Sequence, residues 1–170
     1  MTRGRALVAV LAVVLALVVQ VAVFPHLAWR GIVPNLCLLV VVAAALTVKP
    51  PTAMVLGFVA GVALDLAPPA DHVAGRWALA LSVVAFLAAR VRQDVRPTAT
   101  TVVATVAAAS FIGTSIFALT GLLLEPVAAP VPQLLEVIGV AVVWDVLLTP
   151  FVLPPLMRLF GRLDPQWAPT

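Results

Sequence analysis

Residues 134–160 read LLEVIGVAVVWDVLLTPFVLPPLMRLF. Only Glu136, Asp145 and Arg158 carry charge in this run. An amphipathic helix of a soluble protein keeps an apolar stripe and a polar face, whereas here apolar residues fall on every side. A helix crossing the hydrocarbon core of a bilayer needs about 20 mainly apolar residues. The run therefore predicts a membrane-spanning helix, and the rest of the chain repeats the pattern.

Across all 170 residues, 64% are hydrophobic and 10% are charged, and the mean hydropathy is +1.19. Soluble domains carry roughly 25% charged residues, so this composition cannot cover a water-facing surface. The predicted fold is all-α: a polytopic bundle of six transmembrane helices forming one integral membrane domain over residues 1–170. The helices are expected near 6–24, 32–48, 52–67, 77–91, 98–124 and 134–160. Proline lacks an amide donor and clashes with the preceding helical turn. Its concentration in the gaps, at Pro25, Pro34, Pro50, Pro51, Pro68, Pro69, Pro97, Pro126 and Pro132, marks the loops. The third and fourth segments are short, and a re-entrant pair formed by the second and third is the alternative to two crossings, although it would bury Lys49. Arg3 and Arg5 before the apolar residues 6–24 resemble a signal peptide, but the run is longer than a signal h-region of about 7–15 residues. An uncleaved first helix is expected.

Six crossings place both termini on one side. Arg3, Arg5, Lys49, Arg90, Arg92, Arg96, Arg158 and Arg162 then share that side, against Arg30 and Arg76 on the other. The positive-inside rule makes the richer side cytoplasmic. Trp29 and Trp77 flank their helices as interfacial aromatics, and Trp167 lies in a short polar tail. The pI near 10.5 comes with a net charge of only +3. The basic residues sit in short clusters between apolar runs, which speaks for topology and against nucleic acid. The basic loop around Arg90 to Arg96 can also meet anionic headgroups of membrane lipids.

Polar groups in an apolar bundle draw attention because each is costly to bury. Asp65 ends the run GFVAGVALD at the outer end of the third helix. Asp145 lies about eleven residues into the sixth, or roughly 17 Å at 1.5 Å per residue, near the midplane. It reads either as a proton or cation relay or as a structural acceptor joining two helices. A relay needs further ionisable groups at depth, and only Asp65 and Glu136 offer themselves. Thr149 shares the face of Asp145 and can bond to it or to the backbone beside Pro150 and Pro154. Pro154-Pro155 predicts a kink. Gly57 and Gly61 form GxxxG, which lets another helix approach closely, and Ala12 and Ala16 give a weaker small-residue face. Ser110, Gly113, Thr114 and Ser115 make the fifth helix small and polar at its middle, fit for packing or for lining a cavity.

No cofactor or metal is expected. Cys37 is alone and reads as a small buried hydrophobe. His26 and His72 lie in outer loops and, with Asp71, do not make a ligand set. There is no serine–histidine–acid constellation and no phosphate-binding glycine loop.

Several motifs occur in an order that resembles the bacterial rod shape-determining protein MreD family. They are Pro34-Asn35-Leu36, the Gly57–Gly61 run with Asp65, Pro68-Pro69, Gly75-Arg76-Trp77-Ala78-Leu79, and above all DVLLTPFVLP from Asp145 to Pro154. The resemblance implies a non-enzymatic membrane scaffold of cell-wall elongation. It would bind an MreC-like membrane protein and act indirectly with the MreB filament and the peptidoglycan synthases. Pro34, Asn35, Gly57, Gly61, Asp65, Asp145, Thr149 and Pro150 are the structural or partner-binding candidates, with Gly57/Gly61 as the proposed partner face. The family is also similar in fold to the substrate-binding S-components of energy-coupling-factor vitamin transporters. That gives the alternative, a vitamin-binding transporter subunit; an intramembrane enzyme is the remaining rival.

Overall fold

A computed structural model describes residues 3–68, 73–94, 98–124 and 130–163. Pro69, Asp71, His72, Arg96, Pro97, Pro126 and Trp167 lie outside them, as do the side chains of Arg3 and Arg5. The described residues form six α-helices and no strand. These are α1 (Arg3–Ala22), α2 (Leu36–Ala45), α3 (Pro50–Asp65), α4 (Arg76–Asp94), α5 (Ala99–Leu124) and α6 (Val131–Leu163).

Six helices appear in the expected order, but their lengths differ from expectation. The second helix was expected over 32–48, and α2 holds ten residues, about 15 Å at 1.5 Å per residue. The cause is local. Pro34 disfavours helical geometry in the residue before it. Asn35 then caps the helix, its side-chain oxygen accepting the Leu38 N–H at 2.9 Å. At the other end Thr47 and Val48 both turn their amides back to the Ala44 carbonyl. In the other direction, α4 and α6 run further than their apolar cores, and α6 continues through Pro150, Pro154 and Pro155. By length and hydropathy, α5 and α6 suffice to cross a membrane; α1, α2 and α3 are apolar but shorter.

Every residue of α2 is buried, and α2 packs against all five other helices. Its sequence LCLLVVVAAA is apolar on every side, as a helix enclosed by other helices must be. The remaining helices form a jacket around it. α1 reaches α2 through a tight turn in which Trp29 and Ile32 exchange backbone bonds of 3.0 and 3.2 Å. Arg30 and Gly31 at its tip have φ of 54° and 81°, as a two-residue type I′ turn requires.

The most extensive helix contact joins α3 to α4. Gly57 and Gly61 make it possible. A Cβ on Gly57 would lie 2.6 Å from the Leu81 carbonyl oxygen and 3.0 Å from the Ala85 Cβ, and one on Gly61 would overlap the backbone of Trp77 and Ala78. The GxxxG stripe is thus used inside the chain, and the expectation that it receives a partner helix is corrected: α4 already occupies it. α5 opens with Thr98, whose hydroxyl accepts the Thr101 N–H at 3.2 Å, a helix cap of the usual kind.

Gly61→Ala is expected to lower the melting temperature of the detergent-purified protein by about 5 °C, since overpacking costs roughly 1–3 kcal/mol. Gly139→Ala, where nothing lies within 4 Å of the added Cβ, is expected to leave it unchanged or slightly higher, because alanine is the better helix former. Equal effects in a thermal-shift assay would show that close approach at Gly61 is not what holds α3 to α4.

Candidate functional site

The candidate residues separate into two clusters, each built on a buried carboxylate. Asp145 is the fifteenth residue of α6 and is fully buried. Its Oδ1 accepts the Asn35 backbone N–H at 2.8 Å. Its Oδ2 accepts the Ser110 hydroxyl at 2.6 Å. One side chain therefore ties α6 to the N-terminus of α2 and to the middle of α5. The first amides of a helix have no partner within it, and an unpaired amide in hydrocarbon costs several kcal/mol. A carboxylate placed there also faces the positive end of the helix dipole.

Asn35 completes the arrangement from within its own helix, and its Nδ2 has no acceptor among the described residues. Pro34, also buried, holds the chain extended before the cap. Thr149 is buried and donates to the Asp145 backbone carbonyl at 2.8 Å, not to the carboxylate. Pro150, next to it, is exposed. Pro34, Asn35, Asp145 and Thr149 therefore meet, while Pro150 lies within α6 without joining them. Ser110, Gly113 and Thr114 are buried in helix contacts, Gly113 against Leu38 and Val84.

Asp65 closes α3 and is 3% exposed. Its Oδ1 accepts the Trp77 N–H at 3.0 Å, and its Oδ2 accepts the amides of Gly75 and Ala78 at 2.8 and 3.0 Å. These are the amides that open α4. The same logic operates twice: the carboxylate of one helix satisfies the start of another. Gly61 and Gly57, one and two turns earlier on α3, bring α4 close enough for Asp65 to reach.

Two features escaped the sequence reading. Arg76 was expected as an outer-loop charge, but it is 6% exposed. It donates to the Phe117 carbonyl through Nε at 3.2 Å and Nη2 at 2.6 Å, and its guanidinium lies 3.8 Å from the Phe117 ring centroid. Gly121 leaves room for it, since a Cβ there would meet the guanidinium. Glu136, considered as a relay member, instead pairs with Arg30 at 2.5 Å and ties the α1–α2 turn to α6. An Arg with a Gly on another helix carries no fixed sequence spacing that would have revealed either pairing.

Cys37 is buried and its amide meets the Gln20 side chain at 3.4 Å. His26 is exposed. Among the described residues, no three His, Cys, Asp or Glu side chains gather as a metal site. A groove of about 400 Å³ opens between the beginnings of α1 and α3, away from both carboxylates.

The two carboxylates respond differently to an amide. Asn at position 145 keeps one oxygen for the Asn35 N–H and offers its NH₂ to the Ser110 oxygen. Asn at position 65 has one acceptor for three backbone donors. Asp145→Asn is therefore expected to retain most of the stability, while Asp65→Asn loses about 1–3 kcal/mol for each amide left unpaired. Asp145→Leu, which strands both donors, is expected to fall with Asp65→Asn in thermal melts. Equal melting of Asp145→Asn and Asp145→Leu would remove the capping role.

Residues 2–160 match the family described as rod shape-determining protein MreD. No curated protein and no solved structure matches the chain, so the expected likeness to vitamin-transporter S-components finds no support among solved folds. With the match covering nearly all of its length, the chain belongs to the rod shape-determining protein MreD family.

Proposed function

We propose that the protein is a non-enzymatic scaffold subunit of the cell-wall elongation machinery, held in the bacterial inner membrane as one domain of six crossings with cytoplasmic termini. Its direct partner is an MreC-like membrane protein, and it acts on the MreB filament and the peptidoglycan synthases through that partner. The observation that carries this reading is the engagement of the buried charged side chains. Asp65, Asp145 and Arg76 each bind backbone groups of a neighbouring helix. Groups committed to holding helices together are poorly placed for acid–base chemistry, which needs a group free to meet substrate.

Charge supports the orientation. The two arginines on the proposed outer side are both engaged locally, Arg30 in an ion pair with Glu136 and Arg76 with the Phe117 carbonyl and ring. Lys49 on the proposed inner side is exposed. Shortness of α2 is compatible with a crossing because Pro34 and Asn35 before it and Leu46, Thr47 and Val48 after it are buried as well.

With the glycine stripe closed by α4, the partner helix must dock on an outer face. Broad apolar faces are available, among them Leu7, Leu11 and Leu15 on α1, and Leu147 and Phe151 on α6. Tagged protein is expected to retain an MreC-like partner through mild detergent purification, and depletion of the protein is expected to round rod-shaped cells. Purified protein that never retains the partner, even after crosslinking in cells, would sink the scaffold reading. Orientation is checked separately with single cysteines in a Cys37→Ser background. Lys49→Cys is expected to react with an impermeant maleimide only after the membrane is opened, and Gly31→Cys in intact spheroplasts. The reverse pattern would invert the topology.

A further inference from the structure

The groove between α1 and α3 has a form that neither helix packing nor the scaffold role requires. It encloses about 400 Å³ and is lined by Ala6, Ala9, Val10, Thr52, Val55 and Leu56, with Pro51 and Val59 completing it. That volume falls within the roughly 300–1,000 Å³ of small-molecule sites. Its floor is buried, with Ala9 at 5% and Leu56 at 7% exposure, while its rims are open at Val10 and Val55. It arises because small residues, Ala6 and Ala9, face the first turns of α3, where α1 and α3 touch only sparingly.

Both helices begin at the same end of this groove. Lys49 is the exposed residue that precedes α3, two positions before Pro51 on the groove wall. Arg3 and Arg5 occupy the first turn of α1, immediately before Ala6. No acidic residue occurs in residues 3–9 or 49–59, which contribute both walls and the mouth. Pro50 and Pro51 have no amide hydrogen, so the mouth offers the Lys49 cation rather than a backbone anion nest.

An apolar trough with the exposed Lys49 cation at one end matches an amphiphile carrying a hydrocarbon chain and a negative head. We propose that this groove is a binding site for one anionic glycerophospholipid of the surrounding leaflet, an acyl chain lying between α1 and α3 and the phosphate-bearing head at Lys49. The occupant is a lipid rather than a partner's helix because the apolar trough ends in a cationic mouth, where a helix would bring a run of amide groups and side chains with no requirement for charge. Basic residues near a bilayer surface attract anionic lipid by about fivefold in affinity each.

Native mass spectrometry of the full chain in non-ionic detergent tests this with chain-matched phosphatidylglycerol and phosphatidylcholine. One phosphatidylglycerol is expected to be retained in preference to phosphatidylcholine. Lys49→Glu is expected to reduce that preference by about fivefold or more while leaving chain binding measurable. Val10→Trp and Val55→Trp place an indole over the groove from opposite exposed rims, where the bundle itself is little disturbed. Either is expected to lose both lipids with an unchanged melting temperature. Equal retention of the two lipids by the unmodified chain, or undiminished phosphatidylglycerol on both tryptophan variants, overturns the proposal. So does loss of the MreC-like partner from the tryptophan variants with lipid retained, which would assign the groove to a protein helix. The lipid measurement needs no partner, so its failure leaves the scaffold reading standing or falling on its own.

Discussion

A helix that starts inside an apolar bundle has amide hydrogens with nowhere to go. Water is absent, and the helix itself cannot reach back to satisfy them. Much of this protein can be understood as a response to that one difficulty. α2 begins among five other helices, and Asp145 supplies the acceptor it needs. α4 begins beside the end of α3, and Asp65 supplies at least three bonds there. Carbonyls receive the complementary treatment: Arg92 donates to the Val48 carbonyl at 3.0 Å, just beyond α2. Ionisable side chains, otherwise expensive in hydrocarbon, are here the means by which helix ends become tolerable.

This solution shapes the outside as well. Because α2 is only ten residues long and wholly enclosed, the five surrounding helices must converge on it. The α3–α4 pair converges furthest, through Gly57 and Gly61. Once close approach is used there, the exterior is left with branched and aromatic residues such as Phe58, Phe111, Leu119 and Phe151. A partner meeting this protein meets side chains, not exposed backbone. The α1–α3 boundary departs from that pattern, since the small residues Ala6 and Ala9 of α1 leave a groove against α3.

The order of helices was legible because apolar runs and proline-rich gaps alternate along the chain. Boundaries were less so around α2, where Ile32, Val33 and Val48 are as apolar as the helix they flank. Hydropathy cannot distinguish them; the Asn35 cap and the turn at Thr47 do. Asp145 announced itself as an acid in an apolar run, yet its donors come from Asn35 and Ser110, far away in the chain. The glycine stripe correctly signalled a close approach without naming the helix that makes it. Arg76 was indistinguishable by sequence from an ordinary loop arginine, because its burial depends on the gap at Gly121.

The bond from Asn35 to Asp145 joins positions 110 residues apart. A ribosome makes α2 while α6 is still unmade. Until α6 follows, the start of the central helix lacks the acceptor that Asp145 brings. The two halves of this contact are thus separated in time as well as in sequence: a chain that stalls before α6 leaves bare the polar helix end that Asp145 conceals.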